Sequence, residues 1–310
     1  MAIINVDDAY ILNETGAQVD KTTGIPFKNE SLTEAEAAQA RANIRAGGTN
    51  PNLLDNAYFV GGGSQLGDGI FPINQRGQTS YGNGQTFDRW KLSAGGTVTL
   101  TQSGITFNGL LFQKKALDLV VGETYTLSRQ TQNGEVVSIT GVVPSTEGWM
   151  IGSDAFGVYF RPSTKVCDIQ IWGDYSLRAM KLEKGTVSNL ANDVPPDFGE
   201  ELAKCQRRLF IHDFANGEVI ADGFAVSASY SVCSLVLPVS MASDGTLTGT
   251  VTVNPLIYGG GTGEQVSSFS VSAVKGNYAK IGVATTVMPQ NASVTLYANT
   301  NIRLTISKEL

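Results

Sequence analysis

Cys167-Asp168-Ile169-Gln170-Ile171-Trp172 alternates apolar and polar side chains as far as Ile171 and ends at Trp172 beside Gly173. A two-residue period marks a strand that presents one face to a core and the other to water. The same signal recurs upstream in Thr97-Val98-Thr99-Leu100-Thr101, Tyr125-Thr126-Leu127-Ser128, Val136-Val137-Ser138-Ile139-Thr140 and Gly157-Val158-Tyr159-Phe160. Turn pairs Asn83-Gly84, Asn108-Gly109 and Asn133-Gly134 punctuate these runs, and no long helical pattern intervenes. Short strands with frequent turn signals predict an antiparallel β-sandwich or jelly roll.

The pattern returns downstream in Ser234-Leu235-Val236-Leu237-Pro238-Val239, Thr248-Gly249-Thr250-Val251-Thr252-Val253, Phe269-Ser270-Val271-Ser272, Lys280-Ile281-Gly282-Val283, Ser293-Val294-Thr295-Leu296-Tyr297 and Ile302-Arg303-Leu304-Thr305-Ile306. This second series predicts a smaller sandwich. Between the two, Pro195-Pro196 leads into Asp197 as N-cap and Glu200 at the capping-box position, which predicts a helix from 197 to about 210. Phe198, Leu202, Cys205 and Leu209 form its apolar stripe, which either seals the preceding sandwich or meets its own copies. A short strand at Ala9-Tyr10-Ile11-Leu12 and an alanine-rich helix from Glu34 to Arg45, capped by Thr33 with Glu36, open the chain. The expected fold class is therefore mainly β: two antiparallel, jelly-roll-like β-sandwich domains joined by a short helix. The boundaries are 1–50 for attachment and oligomerisation, 51–190 for the first sandwich, 191–210 for the linker helix and 211–310 for the second sandwich.

Charged residues are only 16% of the chain and the formal net charge is -6, so binding nucleic acid by phosphate neutralisation is not expected. No apolar run approaches the roughly 20 residues that span a bilayer, so no membrane insertion is expected. The start, Met1-Ala2-Ile3-Ile4-Asn5-Val6-Asp7-Asp8, lacks the basic and apolar regions of a signal peptide. Cys167, Cys205 and Cys233 are widely separated and odd in number, which predicts buried free thiols.

Several pieces carry a family resemblance. Ser31-Leu32-Thr33-Glu34-Ala35-Glu36-Ala37-Ala38-Gln39-Ala40-Arg41-Ala42-Asn43-Ile44 resembles a helix common in bacteriophage tail fibres. Asn52-Leu53-Leu54-Asp55-Asn56, Ile73-Asn74-Gln75-Arg76-Gly77 and Phe87-Asp88-Arg89-Trp90 resemble the opening of a sandwich module of phage tail proteins. Ala179-Met180-Lys181-Leu182-Glu183-Lys184-Gly185-Thr186, Pro195-Pro196-Asp197 and Leu202-Ala203-Lys204-Cys205-Gln206-Arg207 resemble its close and exit helix. The resemblance covers about 31–210. It implies a tail fibre or receptor-binding protein, similar in architecture to carbohydrate-binding modules and assembled as a homotrimer. Its partners would be a bacterial surface glycan or protein receptor and other tail or baseplate proteins. Its place would be the virion, after synthesis in the host cytoplasm. Position along such a fibre makes the last domain the receptor-reading tip.

Catalytic patterns are sparse. His212 is the single histidine, and neither a Gly-x-Ser-x-Gly elbow nor a His-Glu-x-x-His motif occurs. Gly259-Gly260-Gly261-Thr262-Gly263 lacks the Lys-Ser/Thr of a phosphate loop and reads as a mobile hairpin loop. Asp154, Asp168, Asp174, Glu135 and Glu147 are the acids that a glycan-cleaving enzyme would draw on. Asp7, Asp8 and Asp68 have the oxygen chemistry of calcium ligands, although no cofactor is expected. Aromatic rings are the binding candidates, because flat rings cover the apolar faces of sugars. The ligand-binding set is Trp149, Tyr159, Tyr258 and Tyr278, with Trp90 and Trp172 assigned to the core. A non-enzymatic adhesion protein is the leading expectation. A surface-polysaccharide depolymerase or esterase, and a structural fibre or baseplate part, are the alternatives.

Overall fold

The computed structural model describes residues 50–243 and 245–309, together with the short antiparallel pair Tyr10–Leu12 and Gln18–Asp20. The alanine-rich helix expected at Glu34 to Arg45 lies outside the described residues. Within them the chain is mainly β, built from antiparallel sheets, with one α-helix, Phe198–Gln206.

The opening stretch of the sequence analysis belongs to the strand Val166–Lys184, whose 19 residues organise the larger sheet. Its first part pairs with Gly104–Ala116, from Val166 opposite Ala116 to Leu177 opposite Ile105. From Leu177 onward it pairs with Thr124–Thr131, and a register irregularity between Leu177 and Ala179 marks the change of partner. Past that point its other edge is taken by the arm at 50–59: Leu53 N–H donates to the Leu182 carbonyl, the Met180 N–H to Ala57, and the Phe59 N–H to Arg178, each at 2.8 Å. Backbone must approach backbone closely where partners change. Gly104, at φ +142°, sits where a Cβ would lie 2.0 Å from the Leu177 carbonyl oxygen.

Two large apolar cores result, with a smaller cluster under the helix. The first gathers Phe59, Phe87, Trp90, Leu111, Leu127, Val158, Ile169 and Ile171, among others. The second gathers Phe214, Ile257, Ile281, Val283, Leu296, Leu304 and their neighbours. It lies between a three-stranded sheet, Leu209–Phe214, Ile302–Ser307 and Thr248–Val251, and a seven-stranded one. The seven run in the order Thr262–Gln265, Leu256–Gly259, Ser293–Tyr297, Val219–Ser227, Tyr230–Val236, Tyr278–Ala284, Ser268–Lys275. All three cysteines are buried and unbonded. Burial pushes the Cys167 thiol up to about 12 and Cys233 to about 11, so neither ionises near neutrality.

The helix begins as its sequence requires, with the Asp197 side chain accepting the Glu200 N–H at 2.8 Å. Phe198, Leu202 and Cys205 pack on Tyr58, Phe71 and Ile73, so the apolar stripe seals the first unit. The predicted extension to 210 is incorrect. The helix ends at Gln206, and Leu209–Phe214 is a strand paired with Ile302–Ser307. Leu209-Phe210-Ile211 satisfies its backbone in that ladder, where Leu209 and Phe210 are both buried. The Gly259–Gly263 segment forms the expected hairpin, with Gly259 paired to Thr262 and with Gly260 and Gly261 at positive φ.

Three of the family-like stretches, 52–56, 73–77 and 87–90, converge on Asn56, which is 1% exposed. Its side chain accepts the Ile73 N–H at 2.7 Å and donates to the carbonyls of Ile73 and Asp88 at 2.8 and 2.7 Å. Its N–H donates to the Glu201 carboxylate on the helix, and its carbonyl accepts the Trp90 indole at 2.9 Å. Alongside, Asp88 accepts from the Gln75 N–H at 3.0 Å and from Gln75 Nε2 at 2.6 Å. Gln75 also reaches the second unit: Nε2 donates to the Leu209 carbonyl at 2.6 Å, and Oε1 accepts the Ile211 N–H at 3.3 Å. Arg76 joins in with a 2.6 Å ion pair to Glu309.

Two consequences are measurable. Gly104→Ala should cost about 2–4 kcal/mol, the range of a steric clash at a special backbone position, and chemical denaturation reads this directly. Asp88 is completely buried, and that burial pushes its carboxyl up from 3.8 to about 7, outweighing the Gln75 hydrogen bonds and the Arg76 charge. Its folded form therefore holds a proton that the unfolded chain releases. The stabilisation is fully present below about pH 4 and disappears as pH rises through about 7. The melting temperature of Asp88→Asn should fall less between pH 5 and 8 than that of the parent, and parallel curves would contradict this assignment.

Candidate functional site

In the first sheet Trp149 lies opposite Tyr159, Tyr159 opposite Asp168, and Asp168 opposite Lys114. Cross-strand partners point to the same side of a sheet, so these side chains form one row. The buried neighbours Cys167, Ile169 and Ile171 point the other way, each at 0% exposure. The row is thus on the outer face. Trp149 is 40% exposed and meets the Tyr159 ring edge-on, with centroids 5.4 Å apart and planes at 86°. Arg161 caps Tyr159 from 4.9 Å and is held by Asp168 at 2.7 Å and Glu147 at 3.3 Å. Two of the acids singled out for glycan cleavage therefore share one guanidinium.

Trp172 corrects an expectation. Assigned to the core, it is 51% exposed. It has the parity of Asp168 and Gln170, so the strand that buries Ile171 turns Trp172 outward. It lies opposite Leu110, four residues or about 13 Å along the strand from the Asp168 row. Between them Gln170 keeps its amide near the surface, donating to the Asp154 carbonyl at 2.9 Å. The face thus offers two exposed indoles, a tyrosine and a set of amide, guanidinium and carboxylate groups. Rings of this kind stack on apolar C–H faces, while the polar groups pair with hydroxyls. By contrast Trp90 is fully buried among Phe59 and Phe87, as expected.

Tyr258 and Tyr278, the other binding candidates, belong to the second unit and do not join this row. Both are on the outer face of the seven-stranded sheet, 56% and 55% exposed. They stand on strands four positions apart in the sheet order, and the cavity that Tyr258 lines does not include Tyr278. Tyr258 and Tyr297 line an open cavity of about 580 Å³ with Leu256, Asn216 and Asn299. Tyr278 closes a hairpin after Gly276 and lies opposite Val236, itself exposed.

His212 is exposed between Phe210 and Phe214, and its neighbour Asp213 is engaged by Arg303 at 2.7 and 2.8 Å. Among the described residues no group of three or more His, Cys, Asp or Glu side chains is placed to hold a metal ion. Asp7 and Asp8 lie outside them. No described helix is long and apolar enough to cross a membrane. Scans against protein-family models, curated proteins and solved structures give no match to this chain.

The two exposed indoles are separable from the buried one by fluorescence. A variant carrying Trp149→Phe and Trp172→Phe should emit from Trp90 alone, blue-shifted and shielded from iodide. The parent should lose most of its red-shifted emission to the quencher. A fully quenchable double variant would refute the assignment of the faces.

Proposed function

We propose that this chain is a receptor-binding protein of a bacteriophage tail, a non-enzymatic adhesin that holds bacterial surface glycans on the outer sheet face carrying Trp149, Tyr159 and Trp172. The observation that carries the reading is the exposed Trp149 ring, set edge-on to Tyr159 beside the Arg161–Asp168 pair. Exposing two indoles forgoes the stabilisation that burying them brings, about 25 cal/mol per Å² of apolar surface. A ligand that covers those rings recovers it. The phage assignment is supported by the tail-fibre-like pieces of sequence between 31 and 210, and the tip role of the second unit by its position after them.

A shallow face binds each sugar weakly. Assembly as a homotrimer, with the N-terminal segment joined to tail or baseplate proteins, would offset this, since linking sites can raise avidity by about 10²–10⁴. In this reading the virion is where the protein acts, and no cofactor takes part.

A glycan array probed with the full chain, followed by host-cell binding, is the test. Trp149→Ala and Trp172→Ala should each lower glycan binding about tenfold or more while the chain stays folded at the assay temperature, as thermal denaturation reads. Undiminished binding by the double alanine variant would remove the face from consideration. New reducing ends or released acetate after incubation with surface polysaccharide would replace the adhesin reading with an enzymatic one.

A further inference from the structure

The seven-stranded sheet has three central strands, Val219–Ser227, Tyr230–Val236 and Tyr278–Ala284. Ala225, Cys233, Ile281 and Val283 on them are fully buried and point to the core. Side chains alternate between the faces of a strand, so Phe224, Tyr230, Val232, Val236 and Tyr278 point outward. Phe224 is 52% exposed and Val236 60%. These strands therefore turn an apolar strip to the outside as well as to the core.

Strand register sorts the strip into rows. Phe224 lies opposite Val232, and Val232 opposite Gly282; in the next row Asp222 lies opposite Ser234, and Ser234 opposite Lys280. Gly282 is low ground, because Tyr230 lies across it and a Cβ there would run into the tyrosine hydroxyl. The Phe224 row continues outward to Ser293 on one side and Ser270 on the other, so only short hydroxyl side chains border it. Asp222 and Lys280 are both exposed, and neither enters an ion pair among the described residues. Asp222 does accept the Thr295 hydroxyl at 2.7 Å, which fixes the carboxylate on this face. The strip thus carries one anion and one cation at the same level, on either side of its central strand.

We infer that this strip pairs with the same strip of a second copy of the chain, about a twofold axis that runs along Tyr230–Val236. Such an axis exchanges the two sides of the strip and keeps every row at its own level. Asp222 of each copy then meets Lys280 of the other, and each Phe224 settles on the low ground at Gly282 and the Tyr230 ring. This is the self-complementarity that a twofold interface requires. An axis running across the strands through Ser234 would set Asp222 against Asp222 and Lys280 against Lys280, so charge selects the first arrangement. A strip limited to the central strands belongs with the small contacts, under about 1,200 Å² in total, that form transiently. The inference is independent of the aromatic face of the first unit. It is also separate from the trimer proposed for the N-terminal segment, whose tips it would join to those of another assembly.

Sedimentation equilibrium of the full chain at high protein concentration decides it, with Asp222→Lys, Lys280→Asp and an equimolar mixture of the two. The parent should show twice the mass of either reversal variant, or more, whatever assembly the N-terminal segment forms. Each variant alone sets like charges against each other; mixed, the two reversals face one another and the parental mass should return. Phe224→Ser should weaken the association about tenfold, as loss of a central interface aromatic does, and Trp149→Ala should leave it unchanged. Equal masses for the parent and both reversal variants would overturn the inference, and so would a mixture that stays at the mass of the variants. Loss of glycan binding by Phe224→Ser at unchanged mass would make the strip a ligand surface and would overturn it as well.

Discussion

Asn56 is the point on which the first unit and the helix both depend. Its amide side chain, N–H and carbonyl each find a partner on a different segment: the loop at Ile73, the turn at Asp88, the indole of Trp90 and the helical carboxylate of Glu201. Asn56 does this from a left-handed backbone conformation, φ 51°, which asparagine tolerates better than most residues. A buried amide whose groups are all engaged specifies one arrangement. A buried amide deprived of one partner leaves an unmet polar group that costs about 1–3 kcal/mol. The arm, the sheet and the helix are therefore held in register by a polar constraint, and the apolar contacts around Phe71 and Cys205 follow from it.

From Asn56 the constraint passes to the second unit through Gln75. Its amide bridges the buried Asp88 carboxylate and the backbone of the first strand beyond the helix. The stretches 52–56, 73–77 and 87–90 thus turn out to be framework. Asn56, Gln75, Asp88 and Trp90 are buried, and none of them is on the exposed aromatic face. A resemblance resting on such residues speaks to architecture, whereas ligand specificity is left to side chains that the framework displays.

Much of the architecture was legible because strand periodicity is a local signal. The alternation at 167–171, the Asp197 cap and the Asn133-Gly134 turn needed no long-range information, whereas Asn108-Gly109, expected as a turn, falls inside the strand Gly104–Ala116, where its backbone is taken up by the ladder with Val166–Lys184. The helix end was not legible, since Leu209 continues the helical stripe yet is recruited by Ile302–Ser307 almost a hundred residues later. For the site, Trp149 and Tyr159 were recognisable as aromatic candidates, but their pairing depends on strand register. Arg161 was missed because nothing near it in sequence announces that Asp168 and Glu147 will converge on it. Trp172 is the instructive error. A large apolar indole reads as core by residue type, yet its parity with Asp168 and Gln170 puts it on the outer face.

The order of the seven-stranded sheet has one more consequence. Its first and last strands, Thr262–Gln265 and Ser268–Lys275, are consecutive in the chain, with only Val266 and Ser267 between them. Three peptide steps span at most about 11 Å, so the two rims are tethered to one another and the sheet must curl. A curled sheet offers no long straight rim to a neighbouring molecule. Strand addition between copies, the usual hazard of an exposed rim, is thereby discouraged even where many chains are crowded together.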